Sequence, residues 1–542
     1  MDGRSAPSMA TVEHPRVRPG LLEDRLYQER IAEVAVERNT LVVLPTGLGK
    51  TAIALRVIAE FLLRSPTASV LLLAPTRPLV VQHATSVAKT LLAPEPLTLT
   101  GAIAPERRAA LLHPPQVVAA TPQVIGNDLA AGQFPLDTFS LIVFDEAHRA
   151  VGDYPYVAIA KANRDGPAAR VLAMTASPGG SRRRIREVWA NLGIERFEYR
   201  TELSPDVAPY IHGIGVETAE VPVPPEVRHL AILLRAAVQR QVDVLRKLDL
   251  LPPGEASRRV LLDLGSRLHR QIGAEEAQSG SASGLLWKAR TTQAAAMKGL
   301  HALELIETQG VDSLREFLAR QRPGEGRRWT ASLRAFLGDP DVEEVVRRLE
   351  TLTVEHPKLA KTVEIVRDEL HRNPNARVIV FSQYRGTVDH VVEEIERLHD
   401  PGVRPARFVG QASHGDDVGL SQREQGAILD RFRWGERNCL VATSVAEEGL
   451  DIPATDLVVF YEPVPDVVRT IQRRGRTGRI RTGRAIVLVA EGTRDVGLHR
   501  GAFARERRMH EMLVEVQSEV EKGHAPSPPE PKRVQRLLSE FR

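Results

Sequence analysis

The stretch LPTGLGKT (Leu44–Thr51) sets two glycines and a Lys-Thr pair between an apolar run and a helical pattern. Gly47 and Gly49 allow backbone N–H groups to turn inward around an anion, and the N-terminus of the following helix favours negative charge. Lys50 in that position reaches the outer phosphates of a nucleotide and the Thr51 hydroxyl holds Mg²⁺, with Thr46 and Leu48 completing the loop. The stretch LIVFDEAH (Leu141–His148) delivers two carboxylates at the end of an apolar strand pattern. Asp145 suits Mg²⁺ binding through the ion's water shell, and Glu146 suits the general base that polarises an attacking water. An adjacent Asp-Glu pair alone is most often a solvated turn; a buried strand that ends on it, beside a phosphate loop, points to chemistry. RLYQ (Arg25–Gln28) lies upstream of that loop, and the Gln28 amide can pair with an adenine edge. In QRRGRTGR (Gln472–Arg479) four of the eight residues are arginine. Such a run is either a solvated basic patch that meets nucleic acid or a set of guanidiniums aimed at a phosphate.

These residues need scaffolds that hold them at strand ends. Residues 1–223 alternate short apolar runs with helical patterns: TLVVLP (Thr40–Pro45), SVLLLAP (Ser69–Pro75), QVVAATP (Gln116–Pro122), SLIVFDE (Ser140–Glu146) and RVLAMTAS (Arg170–Ser177). Runs this continuously apolar suit strands buried on both faces, and their alternation with helices predicts a parallel α/β sheet. Residues 224–353 lose the strand pattern and read as an all-helical block with charged faces. Alternation returns over 354–500, with ARVIVFS, ARFVG, NCLVATS, DLVVFYEP and RAIVLVA, which predicts a second parallel sheet. A charged helix over 501–523 and a Pro-rich linker with a tail over 524–542 follow.

The bulk composition narrows the classes. A chain of 542 residues exceeds one compact domain, and 42% hydrophobic residues supply sizeable cores. The net charge is only +4, so a nucleic-acid surface must come from local clustering. The single cysteine, Cys439, excludes an intrachain disulfide, a Cys-based zinc site and an iron–sulfur cluster, and fits a reducing cytoplasm. The N-terminus has no apolar core of the signal-peptide kind, and no apolar run approaches the roughly 20 residues that span a bilayer. The expectation is a cytoplasmic protein with no membrane partner.

RLYQ, LPTGLGKT, APTRPL, ATP, DEAH, TAS, VATSVAEEGLDIP and QRRGRTGR occur in the order of a superfamily 2 helicase. DEAHRAVGDYPYV, NLGIE, RFVGQAS, GLSQREQ, VVFYEPVP, IQRRGRTGR and GTRD resemble the helicase part of the archaeal Hef-type, FANCM-like family, over Glu13 to Asp495. The resemblance implies two RecA-like motor domains with ATP between them and a thumb-like helical insert that grips DNA. It implies an ATP-dependent 3′-to-5′ DNA helicase acting on forked or branched DNA in replication-fork repair or restart. No ERKxxxD nuclease core is present, so the resemblance is to the motor alone and any nuclease would be a separate partner.

The resemblance also implies roles residue by residue. Arg25 and Gln28 contact the nucleotide base. Pro75, Thr76, Arg77, Thr100, Gly101, Thr121 and Pro122 contact a DNA strand from the first domain, and Gln383, Gly410, Gln411 and Thr443 do so from the second. Backbone N–H and hydroxyl groups of this kind suit phosphate oxygens, which makes binding sequence-independent and salt-sensitive. His148, Thr175 and Ser177 couple ATP state to strand grip. Gly449 and Asp451 contact the nucleotide from the second domain, Asp451 at the ribose. Gln472, Arg476 and Arg479 meet the γ-phosphate and the attacking water, the two arginines as fingers. Two departures stand out: Leu44 where the strict phosphate-loop pattern has Gly, and Glu448 where other helicases carry Arg. In the tail, Gln535, Leu538 and Phe541 resemble a sliding-clamp (PCNA) box, although Arg542 takes the second aromatic position and an amphipathic terminal helix uses the same spacing. Two other functions fit parts of the pattern: a double-stranded RNA translocase of the Dicer and RIG-I type, and an inactive nucleic-acid-binding scaffold.

Overall fold

The computed structural model describes residues 10–45, 47–65, 67, 69–112, 116–166, 169–201, 204–210, 215–254, 256–321, 329–411, 419–443, 455–463 and 484–524. Two parallel sheets and a helical bundle make up the fold. The first sheet contains β1 (Thr40–Val43), β2 (Ser69–Leu73), β3 (Leu97–Leu99), β4 (Val117–Ala120), β5 (Phe139–Asp145), β6 (Arg170–Thr175) and β7 (Arg196–Tyr199), in the order β3-β4-β2-β5-β6-β1-β7. Its strands alternate their side chains between two cores. Leu41, Val43, Leu71 and Leu73 enter one core, while Val42, Leu44, Val70 and Leu72 enter the other. Both faces are thereby covered, which is why these runs carry no polar alternation.

The second sheet contains β8 (Gly215–Val221), β9 (Val378–Phe381), β10 (Pro405–Phe408), β11 (Cys439–Ala442), β12 (Leu457–Phe460) and β13 (Arg484–Ala490), in the order β10-β11-β9-β12-β13-β8. Here the structure departs from the sequence reading. The segment 215–221, grouped by sequence with the first block, pairs along its whole length with β13 in the second sheet. It is an edge strand, GVETAEV, whose polar residues hide it, and its partner lies far downstream. Cys439 is buried in β11, and burial pushes its thiol up to about 12, which makes it a core residue rather than a nucleophile.

The insert is built from helices Pro225–Lys247, Arg258–Ser279, Gly284–Thr308, Val311–Gln321, Ala331–Leu337 and Pro340–Leu349. Ser257, Ser283, Thr330 and Asp339 each cap a helix start by accepting a backbone N–H. Gly299 lets the first and third helices meet, since a Cβ there would lie 2.7 Å from Val238 Cγ2. The bundle docks on the second sheet through buried polar contacts. Arg494 N donates to Glu307 Oε2 at 3.2 Å, and Thr387 Oγ1 donates to Gln309 Oε1. Lys358 and Asp495, both fully buried, pair beneath that joint.

The C-terminal helix runs from Arg494 to Glu521, starting before the 501–523 boundary set by sequence. It leaves the second sheet and then places Met509, Leu513, Val516 and Val520 in the core of the first. Among the described residues no helix is long and apolar enough to cross a membrane.

Candidate nucleotide site and nucleic-acid face

The phosphate-loop candidates join β1 to α2 (Lys50–Arg64), and α1 (Leu26–Glu37), which precedes β1, carries Gln28. Gly47 and Gly49 both have positive φ, 95° and 79°, and Gly49 caps α2 from the left-handed region. Lys50 opens α2, with Thr51 next, and its Nζ donates to Leu44 O at 3.0 Å. The Leu48 side chain is buried and its carbonyl accepts from Tyr27 Oη at 2.7 Å and Gln28 Nε2 at 3.2 Å. Gln28 is 2% exposed, and its Oε1 has no hydrogen-bond partner among the described residues. Arg25 precedes α1 and is engaged with Glu23, its guanidinium 5.8 Å from the Tyr210 ring centre.

Asp145 ends β5 beside this loop. Its Oδ2 lies 2.8 Å from His83 Nε2, its Oδ1 accepts from Glu146 N at 3.0 Å, and its backbone carbonyl accepts from Tyr156 Oη at 2.7 Å. Burial pushes the Asp145 carboxyl up, but the His83 hydrogen bond and the nearby His83 and Lys50 charges outweigh it and hold the carboxyl below its ordinary value. Burial and the Asp145 charge push the Tyr156 phenol well up, so it stays a donor. Glu146 has φ 49°, a left-handed conformation that a glutamate holds only where its surroundings enforce it. Its Oε2 is buried and has no hydrogen bond among the described residues, although His148 Nδ1 comes within 3.2 Å. That nitrogen is 3.0 Å from Thr175 Oγ1, which donates onward to Ser177 O at 2.9 Å. Ser177 Oγ in turn lies 3.1 Å from Met509 Sδ on the C-terminal helix. The three coupling candidates thus form one chain of contacts.

These residues fit ATP and Mg²⁺. Among the described residues Gln28 has a buried acceptor to spare and Glu146 a buried carboxylate oxygen that accepts no hydrogen bond. A Cβ on Gly49 would collide with the Gln28 amide, so the cradle requires glycine. Asp145 and Thr51 supply the hard oxygen donors that suit Mg²⁺.

The strand-contact candidates lie at carboxyl ends of other strands. Pro75, Thr76 and Arg77 follow β2, where Thr76 holds the N-cap position of α3 (Arg77–Thr90) and its buried Oγ1 has no partner among the described residues. Thr100 and Gly101 follow β3, and Thr121 and Pro122 follow β4, with Thr121 N donating to Leu99 O at 3.1 Å. Gln383 follows β9, Gly410 and Gln411 follow β10, and Thr443 follows β11. Sheet order separates the two sets. Strand-contact candidates occupy β3-β4-β2 and β10-β11-β9, whereas Leu44–Thr51, Asp145 and Thr175 belong to β5-β6-β1. Carboxyl ends are where open parallel sheets bind ligands.

Thr46, Gly449, Asp451, Gln472, Arg476, Arg479, Gln535, Leu538 and Phe541 lie outside the described residues. Sequence reasoning missed His83, Tyr156 and Glu462. Glu462 is 3% exposed, follows the apolar strand β12 and accepts from Ser382 Oγ at 3.3 Å and from Gln383 N, so it holds the segment of a strand-contact candidate. A carboxylate closing an apolar strand, the signal that marked Asp145, was present there too. The basic insert faces are partly neutralised: Arg235, Arg240 and Arg258 pair with Glu307, Asp339 and Glu304.

Three family models match the chain: "DEAD/DEAH box helicase" over 25–185, "Putative ATP-dependent RNA helicase, helical bundle" over 225–356, and "Helicase conserved C-terminal domain" over 361–481. A "Putative ATP-dependent RNA helicase" of Methanocaldococcus jannaschii is 39% identical over 93% of this chain and 62% of its own length. The "ATP-dependent DNA helicase mph1" of Aspergillus fumigatus is 32% identical over 86% of this chain and 44% of its own. The chain therefore spans between about two fifths and three fifths of these relatives, whose names divide between RNA and DNA. The crystal structure of the Pyrococcus furiosus Hef helicase domain superimposes with a TM-score of 0.69 at 42% identity, covering 90% of this chain and 100% of that one. With both sheets, the bundle between them and the ordered motifs in place, the chain belongs to the Hef-type, FANCM-like family of superfamily 2 helicases.

Proposed function

We propose that the chain is an ATP-driven motor that moves 3′-to-5′ along DNA and acts on forked or branched DNA during replication-fork repair or restart. The observation that carries this reading is the division of the first sheet, with strand-contact candidates on one half and nucleotide candidates on the other. A motor needs that layout, because hydrolysis in one place must change grip in another. In this reading Gln28 takes the adenine edge with its spare Oε1, Lys50 meets the outer phosphates, and Glu146 accepts the proton of the attacking water. Thr51 and Asp145 would hold Mg²⁺, which neutralises phosphate charge. Arg476 and Arg479 enter from the second domain to stabilise charge at the γ-phosphate. His148, Thr175 and Ser177 carry the state of that site toward the C-terminal helix.

The test measures ATP hydrolysis with forked DNA, single-stranded DNA, duplex RNA and no nucleic acid, alongside strand displacement on substrates with a 3′ or a 5′ tail. Stimulation by forked DNA and displacement from the 3′ tail are expected. Stimulation by duplex RNA alone would move the assignment to the RNA translocases, and hydrolysis unchanged by Lys50→Ala would refute the motor.

A further inference from the structure

We propose that His83 is a positioning residue that sets the Asp145 carboxylate for its metal and ties it to the strand-contact segment at the head of α3. His83 lies on α3 six residues beyond Arg77 and is 5% exposed, on the face that also buries Val80, Ala84 and Val87. Its Nε2 and Asp145 Oδ2 are 2.8 Å apart. An ionised carboxylate only accepts hydrogen bonds, so Nε2 carries the proton and donates it. The other carboxylate oxygen is held by Glu146 N, so both oxygens have a fixed donor and the carboxylate plane cannot rotate freely. Each oxygen keeps lone-pair capacity for a metal-bound water.

The same residue links two functional segments. Tyr156 Oη contacts Asp145 O at 2.7 Å and Leu73 O at 3.2 Å, which binds the end of β5 to the end of β2. Val80 and Ala84 pack against Ala74 and Ala119, so the first turns of α3 are seated between the ends of β2 and β4. Thr76, at the head of that helix, has a buried hydroxyl with no partner among the described residues. A helix moves as a unit, and a hydrogen bond weakens steeply with small changes of distance and angle. A strand held by Pro75–Arg77 therefore acts on the orientation of Asp145 through His83. This second half rests on the proposed strand contacts; the first half rests only on the proposed binding of Mg²⁺ by Asp145.

The test compares His83→Leu, which keeps bulk and removes the donor, with His83→Gln, which restores an amide donor at similar reach. Binding of a fluorescent ADP is titrated with Mg²⁺, hydrolysis is measured with and without forked DNA, and thermal melting is recorded without nucleotide. Loss of the partner that orients a metal-binding carboxylate typically lowers metal affinity by about 10–100-fold. For His83→Leu the Mg²⁺ needed for half-maximal ADP binding should rise by at least about tenfold, and kcat with forked DNA should fall more than KM changes. His83→Gln should recover most of both. Unchanged Mg²⁺ dependence in His83→Leu overturns the proposal, as does a His83→Gln variant as impaired as His83→Leu. If wild-type hydrolysis does not respond to DNA, the strand-contact reading fails while the Mg²⁺ titration still decides the role of His83.

Discussion

Replacing Gly49 with alanine perturbs the phosphate loop at one atom. The left-handed conformation at φ 79° costs an alanine about 1–2 kcal/mol. The added Cβ would also lie 3.3 Å from Gln28 Cδ and well inside contact distance of Gln28 Nε2. Relief requires the Gln28 amide to swing away and abandon its contacts with Leu48 O and Tyr27 Oη. Each lost hydrogen bond is worth about 0.5–1.5 kcal/mol net, so the combined loss is about 2–5 kcal/mol. The loop can yield either by unfolding more easily or by abandoning its nucleotide-ready shape, so two measurements are needed. Urea unfolding and fluorescent-ADP binding should be run on wild type, Gly49→Ala, Gln28→Ala and the double variant. The losses in stability and affinity should sum to about 2–5 kcal/mol in the wild-type background and shrink to about 1–2 kcal/mol where Gln28 is already truncated. An equal loss in both backgrounds would show that the Gln28 collision is not the cause, and a loss near zero would refute both causes.

Glu146→Gln keeps the shape of the carboxylate site but not the base, so nucleotide binding should persist while turnover falls by about 10²–10⁴-fold; ordinary turnover in that variant removes Glu146 from the role. Arg479→Ala should bind ATP but lose about 10³-fold or more in hydrolysis, read by comparing a binding titration with steady-state rates, and wild-type turnover would rule the finger out. His356 is buried between the insert and the second sheet, where burial and then the Lys358 charge depress its imidazole to about 3. Between the ordinary imidazole value and about 3 the unfolded chain binds a proton that the folded chain does not, so stability should fall as pH falls, by about 1.4 kcal/mol per unit from this group. His356 caps the helix Pro357–Arg372, its Nδ1 accepting from Lys358 N at 3.2 Å. Asn is a good helix cap and does not titrate, so His356→Asn should flatten the slope between pH 6.5 and 5 in urea unfolding; an unchanged slope would mean another group carries it.

Legibility in the sequence followed the number of faces an element buries. β1, β2, β4, β9 and β11 are buried throughout and read directly as apolar runs. β7 and β8 stand at sheet edges, and their polar residues resemble a loop. For β8 the error was one of membership as well, because its partner β13 lies beyond the whole insert and no local pattern reports a pairing at that distance. The same limit applied at the site. Gly49 and Lys50 stood out because their chemistry is local to one turn. His83 sits among VVQHATS as a lone polar residue on an apolar face, and only the packing of α3 against the end of β5 brings it to Asp145.

The C-terminal helix gives the contact chain at Ser177 a direction. The helix starts beneath β13, where Asp495 pairs with Lys358 and accepts from Ala490 N at 3.1 Å. It ends against the first sheet, where Arg182 pairs with Glu515 and Glu519 and where Tyr199 Oη lies 2.7 Å from His510 Nδ1. Both attachments are specific, and Ser177 touches Met509 between them. A change of spacing between the sheets must therefore strain this helix or move Ser177. Thr175 joins Ser177 to His148, and Glu146 lies two residues before His148, so the strain arrives beside the proposed general base. The helix reaches the nucleotide candidates through Ser177, after β6, and the His83 contact reaches them through Asp145, at the end of β5. Their effects should then be separable: Met509→Ala should alter the response of hydrolysis to the second domain without changing Mg²⁺ dependence, which His83 controls.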